Sequence, residues 1–220
     1  MRLCIDYRKL NSLTKNNAHP LPRIEDIFDT LSGSKFFTTL DLAMRYHQVE
    51  VVPEDREKTA FSTPFGLFQY NVMPFGLATA PPTFMRLRTI MFSNMLYSTC
   101  LAYLDDIIIF GRTFEEHLDR LDHALKCLEN ANLKLKLSKC AFSKKSVAFL
   151  GHIISEQGIS TDLEKVKRIQ EWPRPRNEKE VRGYPGYASY NRKFIRGFAY
   201  IADPLNKILQ KNHSFQWTVV

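Results

Sequence analysis

The amino-acid sequence predicts an α+β protein, and three observations lead to that class. Through most of the chain, strand-like runs of β-branched and aromatic residues occur between segments with helical spacing. The last quarter contains two helix starts separated by the helix-stopping stretch WPRPR. Hydrophobic residues make up 44% of the 220 positions, which is enough to bury a core. We place a domain boundary near Gly158, which gives predicted domains of residues 1–157 and 158–220.

The first predicted strands lie in the first third of the chain. Residues 36–42, FFTTLDL, are β-branched and aromatic up to Asp41, and residues 46–52, YHQVEVV, alternate well enough to form an antiparallel or looped continuation. The stretch TAFSTPFGLFQYNVMPFG has strand-like pieces interrupted twice by Pro-Phe-Gly. This punctuation predicts a hairpin.

Two helices are predicted next. Pro81 and Pro82 suit the first turn of a helix whose apolar residues then recur at helical spacing. The sequence TFEE, from Thr113 to Glu116, is a capping box that starts a second helix. A 4-3-4-3 stripe on this helix is predicted to face the core: Phe114, Leu118, Leu121, Leu125 and Leu128.

The remaining elements are strands followed by helices. Residues 133–139, LKLKLSK, alternate leucine with lysine and predict a half-buried strand, and VAFLGHIIS predicts a strand entering a turn. TDLE and NEKE then predict helices that start at Thr161 and Asn177. These helices make the second domain helical.

Charge and composition narrow the classes of function. The net charge is +8, and residues 161–220 carry 12 basic against 6 acidic residues, which suggests a polyanionic partner such as nucleic acid. No apolar run approaches ~20 residues and no leader is visible, so we expect no membrane span and an intracellular protein, cytoplasmic or nuclear. The four cysteines lie far apart, which favours reduced thiols over a zinc site.

The stretch CLAYLDDIIIF places two aspartates, Asp105 and Asp106, in an otherwise apolar run. One interpretation is a surface hairpin tip, where aspartate is common. The other takes Asp41 as a third acid: if the strands are neighbours, three carboxylates converge and need a cation. Oxygen ligands favour Mg²⁺, and two ions about 3.5–4 Å apart would serve phosphoryl transfer. On a basic protein, this chemistry points to nucleotide polymerisation.

Several motifs occur in the order seen in reverse transcriptases, and the chain most resembles those of gypsy-type long-terminal-repeat retrotransposons. They include CIDYRKLN, FTTLDL, EDREKTAF, MPFGLATAPPTFMR, YLDD, LKLKLSKCAF, FLGHIIS and WPRPRNEKEVRGY. The resemblance implies a right-hand polymerase fold. Residues 1–157 would form partial fingers and a palm, an antiparallel sheet packed on helices, and residues 158–220 a helical thumb and the start of a connection.

The resemblance also implies RNA-directed DNA synthesis, a two-metal nucleotidyl transfer to a primer 3′-hydroxyl. Asp41, Asp105 and Asp106 match the catalytic carboxylates, and Leu42 matches a residue whose backbone carbonyl is a further metal ligand. The implied cofactor is two Mg²⁺ ions, with Mn²⁺ as the alternative. The implied partners are an RNA or DNA template with its primer and deoxynucleoside triphosphates.

Further residues match nucleotide and primer contacts. Tyr46 matches the aromatic ring beneath the incoming sugar, although a core tyrosine is the ordinary alternative. Arg2 matches an arginine that grips the triphosphate, and Lys139 a lysine near the leaving phosphates; each has a plain surface alternative. The remaining matches are the nucleotide-side loop Pro74, Phe75 and Gly76, and the primer grip Leu150, Gly151 and His152.

The chain departs from the family pattern at several points. Met44-Arg45 replaces the usual Ser-Gly, which puts a bulky cation beside the carboxylates, and Pro185 is expected to interrupt a thumb helix. The chain also starts after part of the fingers and stops where an RNase H domain would begin; protease and integrase are also missing. We expect a fragment with weak activity or none. The alternatives are a catalytically inactive nucleic-acid-binding remnant and another palm polymerase.

Overall fold

The computed structural model describes residues 5–15, 23–103 and 106–209. The chain forms two compact units, one of Met1–Leu150 with Ile154–Gly158 and the other of Gly151–Ile153 with Ile159–Val220. The assignment of these units to fingers with palm and to thumb stays a prediction. None of the helices in the described ranges is long and apolar enough to cross a membrane.

The described residues form eight α-helices and nine β-strands. The helices are α1 (Arg8–Leu13), α2 (Ile24–Thr30), α3 (Pro53–Arg56), α4 (Ala80–Met91), α5 (Phe114–Asn130), α6 (Leu163–Gln170), α7 (Glu178–Ser189) and α8 (Phe198–Ile208). The strands are β1 (Phe36–Asp41), β2 (Phe61–Thr63), β3 (Gly66–Phe68), β4 (Cys100–Tyr103), β5 (Asp106–Gly111), β6 (Ala141–Lys144), β7 (Ser146–Phe149), β8 (His152–Ser155) and β9 (Gly158–Thr161). The predicted α+β class is confirmed.

A four-stranded antiparallel sheet of order β4-β5-β1-β6 forms the centre of the first unit. Leu40, Ile107 and Ile109 of this sheet pack with Phe84 of α4 and Leu128 of α5 in one buried cluster. The apolar strands are therefore covered by two helices, as their composition requires. The predicted hairpin is also present, as the antiparallel pair β2-β3.

Helix α5 begins at the predicted capping box, but the face it buries differs from the predicted one. Thr113 and Glu116 exchange both capping hydrogen bonds. Phe114, Leu118 and Leu125 of the predicted stripe are 43%, 42% and 37% exposed. The buried face is His117, Leu121, Ala124 and Leu128. It is rotated by roughly 50° from the leucine stripe, at 100° per residue, because the small Ala124 and the hydrogen-bonded His117 face the sheet.

His117 forms a buried polar pair with Thr38 of β1. The hydroxyl of Thr38 accepts a hydrogen bond from the backbone N–H of Ser143, and its oxygen lies 2.8 Å from Nε2 of His117. A hydroxyl has one donor and two acceptor sites, so Thr38 can bond to both Ser143 and a neutral imidazole. Burial, with a smaller contribution from the positive charge of Arg120, lowers the pKa of His117.

We expect this histidine to make the protein less stable in mild acid. A lowered pKa in the folded state means that the unfolded chain binds the proton first, so stability falls as the pH drops below about 6.5. Urea unfolding at pH 7.5 and 5.5 should show a smaller loss for His117→Asn than for the wild type. The same loss in both proteins would show that His117 does not contribute to the pH dependence.

Two predicted strands are wrong in part. Residues 46–52 begin with a 3-10 helix, Arg45–Gln48, because the backbone turns sharply before it. Residues 133–139 pair with β1's continuation through one bridge, Leu42↔Leu135, and then enter the 3-10 helix Leu137–Lys139. Leu137 is 68% exposed, so the alternating leucines no longer pack against the core at that point, and the strand ends.

The helices of the second unit match the predicted starts closely. Asn177 caps α7 through Glu180 as predicted, whereas α6 is capped by Asp162, one residue after the predicted Thr161. Helix α7 continues through Pro185 to Ser189, so the expected interruption is wrong. An interior proline removes one N–H donor and crowds the carbonyl four residues earlier, so the helix continues here at a local cost in stability.

Candidate active site

Asp41 and Asp106 lie directly opposite each other on neighbouring strands. Asp41 ends β1, Asp106 begins β5, and the two are partners in the antiparallel register. Opposite residues of an antiparallel pair carry their side chains on the same face of the sheet. Asp105 lies outside the described residues, so the convergence of all three carboxylates stays a prediction, but the sheet brings two of them together.

Two cations of the chain approach the Asp41 carboxylate. Nη2 of Arg45 lies 3.7 Å, and Nζ of Lys139 3.8 Å, from the same atom, Oδ2. The Asp41 side chain is 16% exposed, against 34% for Arg45 and 54% for Lys139. The carboxylate is thus more sheltered from water than either partner, and its charge is offset by two ion pairs.

The residues present match oxygen coordination of a hard cation only in part. Asp41 and Asp106 supply carboxylate oxygens and no nitrogen or sulfur ligand, which suits Mg²⁺. Leu42 follows Asp41 with its side chain buried in the core, so only its backbone is left for a ligand. Within the described residues no group of three acidic, histidine or cysteine side chains is close enough to hold a metal.

The turn after β1 carries the departure Met44-Arg45 and has an unusual backbone. Both residues are left-handed, with φ of 49° and 41°. Glycine adopts this conformation freely, whereas a residue with a β-carbon is strained in it. The glycine expected from the resemblance at position 45 therefore matches the geometry of the turn, and the residues present do not.

Gln48 holds this turn in place, a role that the sequence analysis missed. Its amide donates hydrogen bonds to the carbonyls of Ala43 and Lys134, and its oxygen accepts one from the N–H of Lys134 at 2.5 Å. The side chain thereby bonds to the backbone as another peptide group would. The alternation of residues 46–52 gave no signal for it.

Tyr46 lies between two aromatic rings. Its ring centroid is 5.2 Å from that of Phe75 and 5.6 Å from that of Phe84, and the residue is half-buried. Phe84 belongs to the core, whereas Phe75 belongs to the loop of Pro74, Phe75 and Gly76. The position is compatible with both a sugar-pocket floor and a packing role.

Asn11 fixes the Pro74–Gly76 loop, which the sequence analysis also missed. Its side-chain amide donates to the carbonyl of Gly76 and its oxygen accepts from the N–H of Ala78, both at 2.8 Å. Gly76 has a φ of 98°, and a β-carbon there would lie 3.4 Å from the ring of Tyr7. The 3.4 Å contact is an ordinary van der Waals distance, so the positive φ is what favours glycine at this position. Asn11 belongs to the motif CIDYRKLN, whose sequence alone does not indicate this role.

A row of aromatic rings leads from the exposed hairpin to Tyr46. Each ring centroid lies 5.0 to 6.0 Å from the next. The order of the row is Phe68, Phe61, Tyr70, His47, Phe75 and Tyr46. No sequence pattern indicates this row, because residues 46–47 and 61–75 meet only in the fold.

The predicted primer-grip residues have unequal exposure. His152 is 2% exposed, and its ring stacks on Tyr190 at 5.1 Å and contacts Phe194 at 5.6 Å. The His152 side chain therefore packs in the interior, whereas Leu150 and Gly151 are half-exposed. Gly151 has a φ of 67°, and a β-carbon there would collide with the ammonium of Lys165. Arg2, the predicted triphosphate contact, lies outside the described residues.

Comparison with protein families gives one match over most of the chain. Residues 1–154 match the family model described as reverse transcriptase (RNA-dependent DNA polymerase). Among curated relatives, the chain is 45% identical over 210 residues to the retrovirus-related Pol polyprotein from transposon 297 of Drosophila melanogaster. It is 44% identical over 209 residues to that from transposon gypsy of the same organism. These alignments cover 96% and 95% of the chain but 20% of each polyprotein.

Solved structures show the same similarity. A foamy viral protease-reverse transcriptase in complex with double-stranded DNA matches 99% of the chain with a TM-score of 0.91 and 26% identity. One in complex with an RNA/DNA hybrid matches 99% of the chain with a TM-score of 0.86 and 26% identity. The chain covers 38% and 30% of these two proteins.

Proposed function

Because the chain belongs to the reverse transcriptase family, we propose that it carries out RNA-directed DNA synthesis by nucleotidyl transfer to a primer 3′-hydroxyl. The right-hand polymerase fold follows from the similarity to the foamy viral enzymes. The chain spans about a fifth of the length of its curated relatives, so the activity is proposed for this part of a polyprotein.

The pairing of Asp41 with Asp106 is the observation that supports this proposal most directly. It aligns two acids at neighbouring strand ends on one face of the sheet, with the Asp41 side chain 16% exposed and Asp106 exposed to solvent. Reverse transcriptases generally use divalent metals. Asp41, Asp105, Asp106 and the carbonyl of Leu42 are the groups that would hold two Mg²⁺ ions, or Mn²⁺. When bound, the ions would activate the attacking hydroxyl and neutralise the charge of the leaving pyrophosphate.

The neighbouring residues bind and orient the nucleotide. Arg2 and Lys139 are the cations that would hold the triphosphate, a guanidinium fork and a point charge respectively. Tyr46 would support the sugar, with Phe75 beside it. Asn11 fixes the backbone of the loop that carries Phe75, so the ring is presented on a rigid support.

The nucleic-acid partner is supported by charge and by the solved relatives. The chain carries a net charge of +8, with a surplus in residues 161–220. Contacts from such a surface to phosphates bind a duplex without reading its sequence. The foamy viral enzymes were solved with double-stranded DNA and with an RNA/DNA hybrid. We propose a primed RNA or DNA template as the partner, with Leu150, Gly151 and the buried support His152 near the primer.

An inactive nucleic-acid-binding remnant is the second candidate. The left-handed Met44 and Arg45 and the ion pair between Arg45 and Asp41 favour it, because they place strain and positive charge beside the carboxylates. Such a protein would keep the fold and the basic surface, since neither depends on this turn.

Primer extension with the purified chain tests the proposal. On oligo(dT)-primed poly(rA) and on a matched DNA template, we expect weak extension with Mg²⁺ that uses the RNA template. Duplex binding is measured in parallel by fluorescence anisotropy. Binding without extension on either template would support the inactive remnant, and extension on DNA alone would indicate another palm polymerase.

A further inference from the structure

Arg45 and Lys139 make the surroundings of Asp41 unusual for a cation site. Both cations lie within 4 Å of Oδ2, at distances beyond hydrogen bonding, so the attraction is coulombic. The carboxylate is largely buried, and charges near it are screened less than charges in open solvent. A cation arriving at Asp41 therefore meets positive charge that is already in place.

The backbone explains why the guanidinium of Arg45 lies there. The left-handed turn at Met44 and Arg45 sends the chain into the 3-10 helix Arg45–Gln48, and Gln48 bonds that helix to the backbone of Lys134. A residue with a β-carbon is strained in this region, whereas glycine is not. The surrounding hydrogen bonds thus keep Arg45 in a strained conformation close to Asp41.

A divalent cation and Arg45 have competing requirements at Asp41. Mg²⁺ needs a carboxylate oxygen at about 2.0–2.1 Å, whereas a guanidinium some 4 Å from that oxygen repels the ion and draws on the same negative charge. With glycine at position 45, the turn would keep its geometry and lose this charge.

We propose that Arg45 is a built-in counter-ion of Asp41 that competes with the divalent cation and raises the metal concentration that the site requires. The inference rests on the proposed function, because it takes Asp41 as a metal ligand. It identifies a residue that sets metal affinity through its charge, without contacting the reacting atoms.

Binding of Mn²⁺ alone, without nucleotide or primer, tests this proposal. Free Mn²⁺ is measured by electron paramagnetic resonance at pH 7.5 and constant ionic strength, for the wild type, Arg45→Gly and Arg45→Gln. We expect both variants to bind Mn²⁺ about tenfold more tightly, because both remove the positive charge next to Asp41. Thermal melting without metal confirms that each variant folds.

Lys134→Met is the matched control for net charge. It also removes one cation, but the Lys134 ammonium contacts the side-chain oxygen of Asn132 at 3.0 Å, and Lys134 contacts Gln48 through its backbone. We expect its Mn²⁺ affinity to stay within about twofold of the wild type, since Lys134 is exposed and a charge in open solvent is screened. An equal gain in Lys134→Met and in the Arg45 variants would overturn the proposal, because the effect would then come from net charge.

The remaining outcomes separate the inference from the proposed function. Tighter binding in Arg45→Gly but not in Arg45→Gln would assign the effect to backbone strain and overturn a role for charge. If both Arg45 variants bind Mn²⁺ as the wild type does, and Asp41→Asn still weakens binding, the inference is overturned and the proposed function is not. If Asp41→Asn leaves Mn²⁺ binding unchanged in every background, Asp41 is no metal ligand, and the proposed function fails together with the inference.

Discussion

Replacing Asp41 by asparagine is expected to lower primer extension by about 10³-fold or more, because loss of a metal-binding charge removes several kcal/mol of transition-state stabilisation. Asp105→Asn should have the same effect. The amide keeps the shape of the side chain and removes the charge that we propose holds the cation. Single-turnover extension rates, measured with saturating primer-template, report the change.

The control for this prediction is a carboxylate outside the site. Asp119→Asn changes an exposed residue of α5 and should leave the rate unchanged. The melting temperature of Asp41→Asn should change little, since its ion pairs with Arg45 and Lys139 are partly exposed and contribute about 1 kcal/mol or less. A rate for Asp41→Asn near that of the wild type would rule out the two-metal site at this position.

Tyr46→Val is expected to relax discrimination against ribonucleotides. If the ring forms the floor of the sugar pocket, it occupies the space that a 2′-hydroxyl would need, and a smaller side chain opens that space. We expect the ratio of kcat/KM for deoxynucleotide to that for ribonucleotide to fall at least about tenfold while deoxynucleotide incorporation survives. An Arg45→Gly background serves for the measurement if the unmodified chain is too slow.

Tyr70→Val is the matched control for loss of a ring. Tyr70 is half-buried in the same aromatic row but contacts His47 and Phe61 instead of the rings beside Tyr46. It should leave the selectivity ratio unchanged. A core tyrosine would behave differently at position 46: truncation of a buried ring costs roughly 3–5 kcal/mol, so both activities and the melting temperature would fall together at an unchanged ratio. That result would place the sugar discrimination elsewhere.

The sequence predicted the fold class, the hairpin and several helix starts because these depend on local patterns. The N-caps at Thr113 and Asn177 satisfy backbone donors within one turn, and the structure has both, with the full reciprocal capping box at Thr113. The rotation of α5 could not be predicted in this way. It depends on which face His117 and Ala124 present to a sheet formed by residues far away in the chain. A leucine stripe indicates an amphipathic helix and does not fix its angle to the sheet.

The sequence predicted the acidic residues of the candidate site but not the residues that hold its backbone in place. Asp41 and Asp106 stand out because charge is unusual in apolar strands. Asn11 and Gln48 are ordinary polar residues in sequence, and their importance comes from backbone groups that only the fold brings near them. Met44-Arg45 was recognised as a departure from the family pattern, but the left-handed backbone there needed the structure.

The register of β1 with β5 also bears on how such a chain can change in length. Six consecutive cross-strand pairs, from Phe36↔Gly111 to Asp41↔Asp106, align the two acids whatever the length of chain that joins the strands. Insertions at the exposed tip of the β2-β3 hairpin would therefore leave Asp41 opposite Asp106. Deletion of one residue within β5 would turn the following side chains to the other face of the sheet. We therefore expect insertions and deletions to be tolerated at the hairpin tip and not within residues 107–111.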